Sequence, residues 1–492
     1  MNPTTVIFII TGYFALLLVI SYFTGKNANN QSFFLGNRKS PWYIVAFGMI
    51  SATLSGVTFI SVPGYVMNSD FSYMQIVLGY LPGYLVIAHI LMPMYYRLNL
   101  TSIYTYLERR FGLKSYKTGA SFFLLSRTIG AAFRLFLVAN VLQITLFNQW
   151  NIPFEATVVI TIMLIWLYTF KGGIKTIIWT DSLQTLFMLT AVGVTVYLIS
   201  QNLNLSFSGL VETVADSKNS KMFFFENWNH EYHFIKQFLA GAFITITMTG
   251  LDQDMMQKNL SCRNIKEAKK NMYWFSLGLV PVNLLFMSLG ALLIIYAKRE
   301  GIPLPEQSDD LFPIIATQGY LAPAVGFFFL LGLVAAAYSS ADSALTALTT
   351  SFTVDILNTK NMKEKALKLL RKKVHVGVSA VLAIIIIIFN IVNDQSVISA
   401  LFTIAGYTYG PLLGMYTFGL FTKMQVKDKW VPLIAILSPI LSGIISFNSE
   451  FLFNGYKFGF ELLIMNGIIT FIGLLLIRVR NSHNKKIRQF QK

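Results

Sequence analysis

The feature that most limits this chain is a series of apolar runs, each about 20 residues long, separated by short segments that hold most of its charge. A helix needs about that length to cross about 30 Å of hydrocarbon. Thirteen such spans can be drawn, at 5–24, 41–66, 73–96, 118–147, 152–170, 176–199, 233–257, 271–297, 320–357, 374–392, 397–421, 429–446 and 457–477. Only 12% of the 492 residues are charged, against about 25% in soluble proteins. A water-facing surface cannot be built from that supply, which excludes secreted, fibrous, disordered and soluble-enzyme classes. The runs are too long and continuous for the alternating strands of an outer-membrane barrel. The expectation is an all-α integral membrane protein in which 1–492 forms a single transmembrane domain.

The net charge of +17 would suggest a nucleic-acid partner in a soluble protein. Here it follows from Lys and Arg collected in alternate loops, as the positive-inside rule requires of cytoplasmic segments. Lys258 to Lys270 and Lys360 to Lys373 are two examples, whereas the opposite loops mix Lys218 and Lys221 with Glu212, Asp216 and Glu226. The pattern puts the N-terminus outside and the C-terminus, with a basic tail at 478–492, in the cytoplasm of a cell (inner) membrane. The first run, 5–24, lacks a basic leader and a small-residue cleavage site, and reads as a retained helix. One cysteine, Cys262, excludes an internal disulfide. No nucleic-acid or obligatory protein partner is expected; the lipid bilayer, a cation and a small solute are.

Two spans are unusual. The second carries Gly48, Gly56, Pro63 and Gly64 around Ser51-Ala52-Thr53-Leu54-Ser55-Gly56-Val57-Thr58. The seventh carries Gly241 and Gly250 around Thr245, Thr247 and Thr249. They lie five spans apart, so 41–199 and 233–421 form two five-helix repeats, the second entering the membrane inverted. The run 5–24 is then an additional helix, and 429–477 holds two more. Interrupted helices at matching positions of inverted halves point to a transporter's binding site.

Ionisable groups inside a bilayer are costly and mark function by default. Asp181 lies in the sixth span, Asp342 in the ninth, and Arg127 and Arg134 share one face of the fourth. Ser339 and Ser340 offer adjacent hydroxyls of the kind a hard cation such as Na+ accepts, and an unwound helix would add carbonyls. Such a serine pair can equally bond back to its own helix. Catalytic motifs are missing, so no enzyme is expected. His230-Glu231-Tyr232-His233 is one residue short of the zinc spacing H-E-x-x-H and reads as a solvated outer loop. His89 reads as a packed or hydrogen-bonded histidine.

Four stretches resemble the sodium/solute symporter family of sodium-coupled sugar, proline, iodide and sialic acid carriers. They are Lys171-Gly172-Gly173-Ile174 through Trp179-Thr180-Asp181-Ser182-Leu183-Gln184; Asp252-Gln253-Asp254-Met255-Met256-Gln257-Lys258; Ser339-Ser340-Ala341-Asp342-Ser343; and Gly410-Pro411-Leu412-Leu413-Gly414 through Gly419-Leu420-Phe421. The resemblance implies a LeuT-like five-plus-five fold with broken second and seventh helices. It places a main Na+ site on the Ser51, Leu54 and Ala336 carbonyls and the Ser339 and Ser340 hydroxyls. It places a second Na+ on Asp181 with Ser339, Asp342 and Ser343, where the sialic acid type has serine in place of Asp342. The second span looks most like the sialic acid carriers, which would line the substrate pocket with Ser55, Thr58, Tyr73 and Phe243. A pocket glutamine of that type falls on Val77, and its carboxylate-binding arginine falls on Gly130 or Ala131, with Arg134 one turn away. Arg134 either clamps a substrate carboxylate or pairs with Asp181, Asp342 or a freed carbonyl. The expected function is Na+-coupled symport of a sialic acid, another carboxylate or a sugar by alternating access. The rivals are a proton-coupled carrier and a non-transporting sensor or channel.

Overall fold

In the computed structural model, the structure describes residues 3–25, 36–100, 102–357, 359, 362–392 and 397–479. Most of the basic tail expected at 478–492 lies outside the described residues. The chain is helical, with α1 at Pro3–Gly25, α2 at Trp42–Ser69, α3 at Tyr73–Arg97, α4 at Leu113–Thr145, α5 at Phe154–Trp166 and α6 at Ile174–Asn202. There follow α7 in two pieces, Phe234–Gly250 and Gln253–Leu260, then α8 at Ile265–Arg299, α9 at Pro323–Ile356 and α10 at Leu369–Val392. Last come α11 at Val397–Phe421, α12 at Val431–Phe447 and α13 at Leu462–Leu476. Among the described residues ten helices are long and apolar enough to cross a membrane, and the bent pair of α7 makes an eleventh. The shorter apolar helices α5 and α13 stand where the fifth and thirteenth spans were expected.

α5 and α6 belong to one helical run, Phe154–Asn202, of 49 residues. A straight helix of that length would reach about 73 Å, over twice the hydrocarbon thickness. Its two ends pack on α4 and α8. Phe154 meets Phe136, which lines a small cavity with Asp309, and the Leu203 carbonyl accepts a hydrogen bond from Arg299. The run covers the positions expected for the fifth and sixth spans, 152–170 and 176–199.

α2 lies at the centre, packed on α6, α8 and α9. Its helical geometry stops at Ser55, whose backbone is at φ 50°, ψ 179°. α7 bends by 67° between Gly250 and Gln253, after a π turn at Ile246–Gly250. The break thus falls past the threonines that suggested it. Asp252 caps the second piece: its carboxylate accepts from the Asp254 and Met255 amides, which would otherwise be orphaned at a helix start. α1 packs on α6 and α9, and α12 and α13 pack with α11.

Gly241 does not interrupt α7; it lets the helix approach α3. A Cβ there would stand 2.1 Å from the Ile76 carbonyl oxygen, and one on Gly79 would stand 2.1 Å from that of Phe238. Lipid tails give apolar helices no reason to associate, so such small-residue contacts hold a membrane bundle together. Gly241→Ala should therefore destabilise the protein by at least about 1–3 kcal/mol, read as a lower melting midpoint in detergent. Gly193→Ala, with open space around its Cβ, should leave the midpoint in place.

Candidate functional site

The site is built on the break of α2. Interrupting a helix can deprive the carbonyls before the break of amide partners, and the turn that precedes this break contains Ser51 and Leu54. The break presses on α9: a Cβ on Gly56 would stand 3.3 Å from the Ala337 Cβ. This brings Ser51 and Leu54 beside the turn of α9 that carries Ala336, Ser339 and Ser340. All five are at most 2% exposed. The Ser51 and Ser339 hydroxyl oxygens are 3.1 Å apart. The Ser51 hydroxyl oxygen is also 3.0 Å from both the Gly48 and the Asp181 carbonyl oxygens, which compete for its one proton. The Ser340 hydroxyl is buried without a hydrogen-bond partner, although a helical serine can normally bond back to its own carbonyl four residues earlier. An unsatisfied hydroxyl beside the carbonyls of a helix break is the donor set a Na+ ion takes.

The same face of α9 continues with Ser343, Thr346, Thr350 and Thr353, spaced three or four residues apart. Their buried hydroxyls likewise have no partner. Thr349, off that face, bonds back to Leu345 at 2.6 Å. Asp342, on the turn after Ser339, is fully buried.

Asp181 meets a group that sequence reasoning placed elsewhere. Lys258, read above as a cytoplasmic-loop cation, is 1% exposed on the second piece of α7, Gln253–Leu260, with its Nζ 2.7 Å from Asp181 Oδ2. The other carboxylate oxygen, Oδ1, accepts from the Ser339 hydroxyl at 2.7 Å. The carboxylate expected to hold a second Na+ is thus engaged on both oxygens, one of them by a tethered ammonium. Lys258 lies one helical turn after Asp254, within the stretch that resembles the symporter family. That spacing was the available signal, masked by the polarity of the segment.

A cavity of about 70 Å³ opens beside the α2 break. Ser55, Thr58, Tyr73 and Arg134, the residues expected to contact a solute, line it together with Tyr80, Tyr84, Thr245 and Thr249. The Tyr73 and Tyr80 hydroxyls are 3.0 Å apart. Phe243 is half-buried and does not line it; its helix turns Ile244 and Thr245 inward instead. The two arginines of α4 have different fates. Arg127 is ion-paired to Asp254, with Asp252 3.9 Å away. Arg134 makes no ion pair with Asp181, Asp342 or any other described residue, and its buried Nε and Nη1 have no hydrogen-bond partner. Outside this site, His89 shares a 2.8 Å hydrogen bond with Tyr273. His233, read as solvated, is buried and caps α7.

The sodium:solute symporter family model matches residues 33–427. The chain belongs to that family. It is a multi-pass membrane protein of LeuT-like fold and a Na+-coupled secondary transporter of a small solute, not an enzyme. It is 26% identical to the sodium/sialic acid symporter NanT of Aliivibrio fischeri, over 87% of this chain and 85% of that one. It is 24% identical to the sodium/sialic acid symporter SiaT of Proteus mirabilis, over 94% of each. In three dimensions it matches a Na+-coupled sialic acid symporter, solved substrate-bound and outward-open, with a TM-score of 0.80, 20% identity and coverage of 96% and 97% of the two chains.

The buried pair makes a prediction for this symporter. Lys258→Met leaves the Asp181 carboxylate buried with no counter-ion, a change that costs about 3–5 kcal/mol. Adding Asp181→Asn should restore most of the lost thermal stability. Single variants as stable as the parent would show that the two charges are not paired.

Proposed function

We propose that this symporter carries a small organic anion with a carboxylate, of the sialic acid kind, and that one Na+ accompanies it. The observation that carries the reading is Arg134, a buried guanidinium facing the cavity with unbonded N–H groups while its neighbour Arg127 is neutralised. A mid-membrane arginine without a protein carboxylate is a receptor for a mobile one, and its planar fork suits a carboxylate bidentately. The hydroxyls of Ser55, Thr58, Tyr73 and Tyr80 supply the polar contacts that a polyhydroxylated acid requires. The names of the relatives, both sodium/sialic acid symporters, support the same class.

The main Na+ binds the Ser51, Leu54 and Ala336 carbonyls with the Ser339 and Ser340 hydroxyls. Lys258 stands in for a second ion at Asp181, near Asp342 and Ser343. The hydroxyl face from Ser343 to Thr353 provides the route by which the ion leaves toward the cytoplasm. The N-terminus is outside and the C-terminus cytoplasmic, and 41–199 and 233–421 are the two repeats that move against each other. One Na+ travelling with one carboxylate anion moves no net charge, so the membrane potential does not drive the pair; the Na+ concentration gradient does, and a tenfold gradient, about 1.4 kcal/mol, concentrates the solute about tenfold.

Uptake into proteoliposomes tests this. Accumulation of sialic acid should require a Na+ gradient and persist without a pH gradient; accumulation driven by pH alone would contradict the reading. Ser340→Ala removes a charge-assisted contact of about 1.5–3 kcal/mol, so half-maximal uptake should need roughly tenfold or more additional Na+. Arg134→Lys should keep Na+ binding but lose roughly tenfold in carboxylate affinity. Sodium-dependent stabilisation by neutral hexoses and not by carboxylates would overturn the substrate class.

A further inference from the structure

We infer that the bundle carries a second binding site, for the phosphate headgroup of an anionic phospholipid, where α3 and α11 end at the face taken above as cytoplasmic. A cavity of about 460 Å³ opens there, within the range of small-ligand pockets. It shares no residue with the lining of the transport cavity.

Its two halves differ in chemistry. Ile90, Pro93, Met94 and Leu420 wall the part that runs along the helices. From Ile90 to Arg97 the wall extends about 10 Å along α3, at 1.5 Å per residue. Leu85, Ile90 and Phe421 are turned outward, 37–71% exposed, as lipid-facing side chains are. At the helix ends the lining changes to Arg97, Arg109, Arg110 and Lys423, and among the described residues no carboxylate lines the cavity. Basic loops are general at this face; an apolar slot leading to a basic mouth is not. A lipid has the same order of parts, with its phosphate at the interface and its chains beneath.

Arg110 fixes the mouth. Its Nε donates to the Gly419 carbonyl at 3.1 Å, and its Nη2 donates to those of Thr422 and Met424 at 2.9 and 2.8 Å. These are carbonyls at and just beyond the end of α11, so the guanidinium is held by the backbone with its charge uncompensated. Its Nη1 is buried without a partner, a donor suited to a phosphate oxygen. Arg109 and Lys423 are exposed at the rim. Pockets of this kind between helices on the cytoplasmic side take anionic headgroups.

Native mass spectrometry of the full chain in detergent, titrated with phosphatidylglycerol or phosphatidylcholine, tests the site. The parent protein should retain one phosphatidylglycerol in preference to phosphatidylcholine, and its melting midpoint should rise with the former. Arg109→Gln/Lys423→Gln, which leaves the Arg110 anchor intact, should weaken that retention by more than about tenfold. Ile90→Trp, which fills the slot and changes no charge, should weaken it as well. Equal retention of the two lipids, or parental affinity in both variants, would overturn the inference. Inorganic phosphate that raises the midpoint as much as the lipid does would show an anion site with no lipid specificity, and would overturn it too.

Discussion

A helix interrupted in mid-membrane exposes carbonyl and amide groups where no water is available, so it survives only if protein or a bound ion takes their place. The break of α2 at Ser55 meets this demand on α9. Gly56 allows the two backbones to approach, Ser51 turns its hydroxyl onto neighbouring carbonyls, and the Ser340 hydroxyl is left open. The carbonyls at the break and the open hydroxyl are the same groups that a sodium ion needs. Structural necessity and the proposed ion site therefore coincide at one place, and the cavity proposed for the solute opens beside the same break. An ion that orders this turn also orders Ser55 and Thr58, which gives a direct physical route for coupling the two ligands.

The second break is managed differently. α7 begins again at Asp252, whose carboxylate caps the second half-helix and accepts from the Tyr409 hydroxyl at 2.7 Å. Two carboxylate–cation contacts then tie that half-helix to its surroundings: Asp254 to Arg127 on α4, and Lys258 to Asp181 on α6. Such pairs add little net stability over apolar packing, but each charge is expensive once its partner is removed. They therefore resist separation of α7 from α4 and α6. Lys258 in particular links α7, α6 and, through the 2.7 Å bond from Ser339 to Asp181, α9. Any separation of α7 from α6 must first place a water or an ion on Asp181.

Much of this was legible in the residues. Length and hydropathy mark the helices of the bundle, ten or eleven of them long and apolar enough to span among the described residues, because every backbone group of a lone segment in a bilayer must be bonded within its own helix, which favours a long apolar run. The serine pair and the polar turn of α2 stood out because polar groups there are expensive. Lys258 was not legible as a buried group, since the second piece of α7 is short and polar and reads as loop; only tertiary packing buries it. Phe243 was misplaced because one residue turns a helix position by about 100°, more than a resemblance can fix beside a π turn. Arg134 shows the converse. The resemblance puts the arginine at Gly130 or Ala131, but positions four apart share a helix face, so Arg134 reaches the same cavity.

The central claim is that one mobile Na+ occupies the α2–α9 site while Lys258 fills the place of a second. The most direct measurement is the ratio of fluxes, with labelled Na+ and labelled solute followed together into proteoliposomes under the same gradient. The account predicts one Na+ per solute. Two Na+ per solute in the parent protein would contradict it, because Asp181 would then have to release Lys258 and coordinate an ion in every cycle.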